Sequence, residues 1–204
     1  MTRRLMKDKA KSLFRTQYDV TLLGVLLTIL ISAGAGTVLP LVGGIFVLPI
    51  LVGRSRIFLD IARGKAAKID SLLEAFKKDY AERLLALFLM HLFLFLWYLL
   101  LIVPGVIKTL SYALVPYILA EDSFDPNKHG AIDESRRMMD GHKWELFVIY
   151  LSFIGWDILG ALTLGILTIL YVEPYVQQTL ALFYEKIKDE KGLVSETSQP
   201  AIEG

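Results

Sequence analysis

From Val20 to Gly53 the chain runs for 34 residues without one charged side chain, whereas about 20 apolar residues are enough for a helix to cross a hydrocarbon core. The run is too long for a single crossing. It is interrupted at Gly34, Gly36, Pro40, Gly43 and Gly44, residues that end helices or permit tight turns. It therefore predicts two helices, 20–37 and 41–62, the second continuing through Arg54 and Arg56 with both guanidinium groups reaching out to the headgroups. The pattern then recurs twice. Leu84 to Ile107 is uncharged, breaks at Pro104-Gly105 and resumes after Lys108, predicting helices 84–103 and 106–120. Leu146 to Tyr184 carries only Asp157 and Glu173 as charges and turns around Leu162 to Gly165, predicting helices 146–162 and 166–184. Because lipid offers the backbone no hydrogen-bond partner, each crossing must be helical. The expected fold is all-α: a polytopic membrane domain over 20–188, with six transmembrane helices in three hairpins. A basic segment, 1–19, precedes it and a disordered tail, 189–204, follows.

Charge position orients this arrangement. Of the 22 Lys and Arg residues, six lie in 1–19, eight in 54–83, four in 121–145 and three in 185–204, leaving Lys108 alone on the opposite side. Short loops rich in cations stay in the cytoplasm, so both termini are expected there and the three outer connections reduce to turns. The inner segments differ in sign. Residues 1–19 carry six cations and two acids and 54–83 eight and five, whereas 121–145 carries four and seven. The basic half suits anionic lipids of the inner leaflet, each nearby cation contributing about 1 kcal/mol. The acidic 121–145 loop suits a cytoplasmic or membrane protein partner.

Three short stripes at helical spacing fall in these inner segments, and each predicts a helix resting at the headgroups. In the N-terminal segment they are Met6, Ala10, Leu13, Phe14 and Gln17. In the basic loop they are Ile69, Leu72, Leu73, Phe76 and Tyr80, with Ser71 and Glu74 spaced as a capping box. In the acidic loop Asp125-Pro126 starts and Gly141 stops a helix bearing Ala131, Ile132, Ser135, Met138 and Met139 on one side.

Apolar residues make up 54% of the chain, above the 45–50% or so of soluble domains. Opposite charges nearly cancel, so overall charge gives no reason to expect nucleic acid as a partner. The absence of cysteine removes thiol catalysis and Cys-ligated zinc. His142 and Glu145 are three apart, but two residues make no metal site. His91 has the position of a packed, hydrogen-bonded histidine. No nucleophile elbow, phosphate loop or zinc-protease helix is present. Neither a catalytic residue nor a cofactor is expected, and the chain reads as no enzyme.

The sharpest chemical feature is the pair Asp157 and Glu173, placed symmetrically about the turn at residue 165. Eight residues at 1.5 Å each set both about 12 Å from the turn. Two carboxylates held together would share a proton, and Lys108 would neutralise one of them. Groups of this kind inside a span are functional candidates by default; the plainer reading is outer-leaflet solvation beside the aromatic residues Trp156, Tyr171 and Tyr175. Each return helix also carries a proline, Pro49, Pro116 or Pro174, predicting a kink and a weak threefold hairpin repeat.

Two stretches resemble a family of predicted integral membrane proteins from Gram-positive bacteria, domain of unknown function 975. They are PGVIKTLSYALVPYILAED, from Pro104 to Asp122, and Ala131 to Ile187, which includes ESRRMMDGHKWELF, LSFIGWDILGALTLGI and EPYVQQTLALFYEKI. Together they span 76 residues. The resemblance implies a multi-pass helical protein of the bacterial plasma membrane. It carries over no activity, ligand or site. The expected function is therefore that of a non-enzymatic scaffold or regulatory membrane protein. The alternative is a small transporter or channel coupled to protons or cations through Asp157 and Glu173.

Overall fold

The computed structural model describes residues 2–38, 48–74, 76, 79–122 and 130–192, with side chains described except at 34–38 and 74. The expected breaks at Pro40, Gly43 and Gly44, the helix start at Asp125-Pro126 and the tail beyond Gly192 lie outside them. The regular elements among the described residues are all helical. We number them α1 (Arg3–Thr16), α2 (Tyr18–Val38), α3 (Pro49–Ala62), α4 (Ser71–Glu74), α5 (Tyr80–Leu100) and α6 (Ile102–Tyr112). There follow α7 (Val115–Leu119), α8 (Ala131–Met138), α9 (Lys143–Leu151), α10 (Ile154–Leu162) and α11 (Glu173–Glu190), the last preceded by a π-helical segment, Thr168–Val172.

Three described stretches are long and apolar enough to cross a membrane: Tyr80–Leu100, Ile102–Leu119 and Lys143–Leu162. A fourth appears if α1 and Tyr18–Ala33, which meet at 90°, are taken as one bent unit. Six apolar crossings are thus more than the described helices supply by length and composition. The shortfall falls on the return arms 41–62 and 166–184. Described from its start at Pro49, α3 has 14 residues and includes Arg54, Arg56 and Asp60. The last arm does not end at Tyr184 but runs on to Glu190 through a charged final turn. Both arms are central rather than peripheral, so their polar groups meet protein instead of lipid.

The hairpin turns follow local chemistry. Between α5 and α6 the backbone breaks at Leu101, which is extended at φ −161°, three residues before the expected Pro104. Pro104 instead sits in the first turn of α6, where a missing N–H costs nothing because that donor has no helical partner. The third turn is where the pattern put it: Thr163–Gly165 reverses the chain, and Gly165 takes φ +84°, a conformation glycine adopts without steric cost.

The three stripes form helical faces, but against protein. Met6, Ala10 and Phe14 are buried as α1 lies across α11. In the acidic loop Ala131, Met138 and Met139 are buried in the main core, and the buried Ser135 donates through Oγ to the Ser111 carbonyl at 2.8 Å. The basic-loop stripe shrinks to the single turn of α4, whose Leu72 packs with Ile50, Ile57 and Ile61 while Leu73 stays exposed. This close approach requires Gly53, since a Cβ there would lie 2.6 Å from the Leu72 Cα and the Ser71 carbonyl oxygen. The floating helices expected at the headgroups are instead docked pieces of the bundle, because each stripe finds more apolar surface on the neighbouring helices.

Candidate functional site

A polar seam runs through the centre of the bundle along α3. Arg54 Nη1 donates to Glu173 Oε1 at 3.0 Å, at the start of α11. One turn further on, the buried Gln178 amide donates to the Phe58 carbonyl at 3.3 Å. At the end of α3, Arg63 donates through Nε and Nη2 to Glu185 Oε1 at 3.1 and 2.8 Å. The partners ascend together in number along both helices, so α3 and α11 run parallel. The same holds for α7. The Tyr117 hydroxyl donates to Gln177 Oε1 at 2.9 Å, and just past α7 Glu121 accepts from the Tyr184 hydroxyl and from Lys188 Nζ, each at 3.0 Å. The three return arms thus converge side by side with one direction. Pro49, Pro116 and Pro174 each occupy the first turn of their arm's helix.

The far end of the seam is its most charged part. Glu121 Oε1 also accepts from Arg63 Nη2, so one carboxylate gathers a guanidinium, an ammonium and a phenol. Burial disfavours charge on Glu121, but the hydrogen bonds from Arg63 and Lys188 outweigh it and hold its pKa below the ordinary carboxylate range. Likewise, burial opposes the charge on Arg63, yet hydrogen bonds to Glu185 and Glu121 leave its pKa raised. Beside them Arg56 bridges Asp122 at 2.6 Å, Asp60 at 3.4 Å and the Ala120 carbonyl at 2.9 Å. Two arginines expected to reach the headgroups are thus turned into the protein, their side chains each only 17% exposed. A charged side chain on an otherwise buried helix is stabilised by a partner, and partners were within reach.

The sequence-derived group is dispersed. Asp157 is exposed in the first turn of α10. Glu173 is half-buried and engaged by Arg54 and by the Gln177 amide at 3.0 Å. Lys108 stands over the Trp97 ring, 4.7 Å from its centroid. Among the described residues no hydrogen bond or ion pair joins any two of the three. The partner missed was Arg54, 119 positions from Glu173. The signal available was the row Arg54, Arg56, Asp60 and Arg63 on a helix whose other residues are nearly all apolar.

The other candidate side chains are likewise engaged within the protein. Lys186 Nζ sits 2.7 Å from Glu145 and 3.5 Å from Glu190, and His142 lies 3.8 Å from each of these carboxylates. His91 Nδ1 is 2.8 Å from the Leu87 carbonyl of its own helix. No cluster of three or more metal-ligating side chains occurs among the described residues.

Comparison with curated proteins finds no match, and none of the solved structures matches either. A family model does match, over residues 99–191, a segment that holds α6 to α11 and with them two of the three converging arms. Over that segment, somewhat less than half of its length, the chain is similar to the family described as protein of unknown function (DUF975).

Proposed function

We propose that this is a non-enzymatic integral protein of the bacterial plasma membrane, crossing it six times in three hairpins with both termini in the cytoplasm, and acting as a scaffold or regulator through its cytoplasmic face. The observation that carries the non-transporting part of this reading is the Arg54–Glu173 contact at 3.0 Å. A carboxylate already paired with a guanidinium is a poor site for a passing cation, because the fixed positive charge beside it repels a second one.

The membrane part rests on surface character. Only 11% of the most apolar window of Tyr80–Leu100 and 22% of that in Lys143–Leu162 is buried, and Leu99, Leu100, Ile102, Leu162 and Leu164 are among the exposed residues. Contiguous apolar surface of this extent is rare on soluble monomers. Central arms such as α3 and α11 need not be wholly apolar to cross, since they face neighbouring helices. The basic N-terminal half then meets anionic lipid, and the acidic 121–145 segment is presented to a protein partner.

Single cysteines at Leu164 and Lys68 test the topology in intact cells with an impermeant maleimide. Labelling is expected at Leu164→Cys only; labelling at Lys68→Cys before lysis would reverse the orientation. Proteoliposomes test the role. No proton or cation flux is expected, and a flux abolished by Asp157→Asn with Glu173→Gln would replace the scaffold reading by a transporter.

A further inference from the structure

The N-terminal turn of α1 and the middle of α9 enclose a cleft of about 600 Å³, lined by Thr2, Arg3, Arg4, Lys7, Val148, Ile149 and Ser152. Its walls are unlike. One supplies three cations and no acid; the other supplies Val148 and Ile149, with Leu151 and Ile154, 51% and 47% exposed, on either side of Ser152 in the chain. The ammonium of Lys7 is held at the boundary. It donates to Ser152 Oγ at 2.9 Å and lies 4.1 Å from the centroid of the Phe153 ring. Burial lowers the Lys7 pKa, with Asp8 only partly compensating, so its charge gains from an arriving anion. Arg3 and Arg4 are exposed.

We propose that this cleft is a binding site for one anionic phospholipid, with the headgroup phosphate between Arg3, Arg4 and Lys7 and the start of an acyl chain along Val148, Leu151 and Ile154. A free phosphate would match the cations but gain nothing from the apolar wall, and would leave most of the volume unfilled. A zwitterionic lipid would match the wall but bring its own cation against three others. The site rests on the membrane reading above and sharpens it from a diffuse attraction to a defined position. It also couples the N-terminal segment to α9, two parts of the chain about 145 positions apart that a single lipid would clamp together.

The test is native mass spectrometry of the full-length, delipidated protein in detergent, titrated with phosphatidylglycerol, phosphatidylcholine or inorganic phosphate. The wild type is expected to retain one phosphatidylglycerol in preference to phosphatidylcholine. R3A/R4A/K7A is expected to weaken that retention roughly tenfold or more, whereas K11A/K65A/K68A, which removes the same charge elsewhere, changes it less than about twofold. Two further variants separate site from fold: R3K/R4K keeps binding, and Val148→Trp, which fills the cleft without touching charge, loses it. Equal weakening in both triple variants, equal retention of phosphatidylcholine, or displacement of the lipid by millimolar phosphate would each overturn the assignment. Release of wild-type protein from vesicles by alkaline carbonate is a separate result, and would remove the membrane reading itself.

Discussion

The return arm α11 and the outgoing arm α5 show how differently two helices of one bundle solve the same problem. In α11, ten of eighteen residues are buried, among them Gln178 and Thr179, and its flanks bear Glu173, Glu185, Lys186 and Lys188, each with an opposite charge from another segment of the bundle. In α5 only Leu87 and Met90 of 21 residues are buried, and most of its apolar side chains face outward. Hydropathy alone would make the second the core helix and the first the surface one. A bundle in water obeys that rule; a bundle in lipid inverts it, because apolar side chains cost nothing facing hydrocarbon while charges must find partners inside.

The contrast can be broken most severely at Arg63. Arg63→Ala leaves the partly buried Glu121 and Glu185 without their guanidinium. A stability loss of about 2–3 kcal/mol is expected, read as a fall in thermal midpoint in detergent and short of the ~3–5 kcal/mol for breaking a fully buried pair because Lys188 still reaches Glu121. An equally large loss from Leu99→Ala, on the exposed arm, would erase the distinction. The close packing of the centre is tested next. Gly53→Ala drives a Cβ into the α4 backbone, and overpacking of this kind costs about 1–3 kcal/mol.

Acid sharpens the comparison further. A carboxyl whose folded pKa is depressed contributes stability that is fully present above its unfolded value, about 4.3 for glutamate, and lost as pH falls through the lower folded value. Glu121→Gln should therefore destabilise most near neutrality, with the gap to wild type closing as the pH drops below about 4. A gap independent of pH would mean that Glu121 acts by packing rather than by charge. The smallest effect belongs to the outer arm. A Cβ at Gly155 of α10 meets nothing within 4 Å, so Gly155→Ala should be neutral or stabilise by up to about 1 kcal/mol through helix propensity.

Much of the fold was legible in the residues. The all-helical class, the turn at 163–165, the stop at Gly141 with φ +83° and the apolar faces of α1 and α8 follow from periodicity and glycine, because these are local properties of the chain. The candidate site was legible only in part. Glu173 stands out as an acid in an apolar run, but nearness in sequence and in expected depth points to Asp157 and Lys108, whereas its partner in the structure is Arg54.

What the sequence alone determined is where helices form, which of their faces are apolar and which segments suit lipid, since spacing and transfer free energy need no knowledge of neighbours. Only the tertiary structure decided what those faces and charges meet. The stripes of α1 and α8 dock on the bundle rather than on headgroups, and Arg54, Arg56 and Arg63 turn inward to carboxylates supplied from beyond residue 120. A charge pattern along one helix specifies that a counter-charge is wanted; which distant segment brings it depends on how the helices pack.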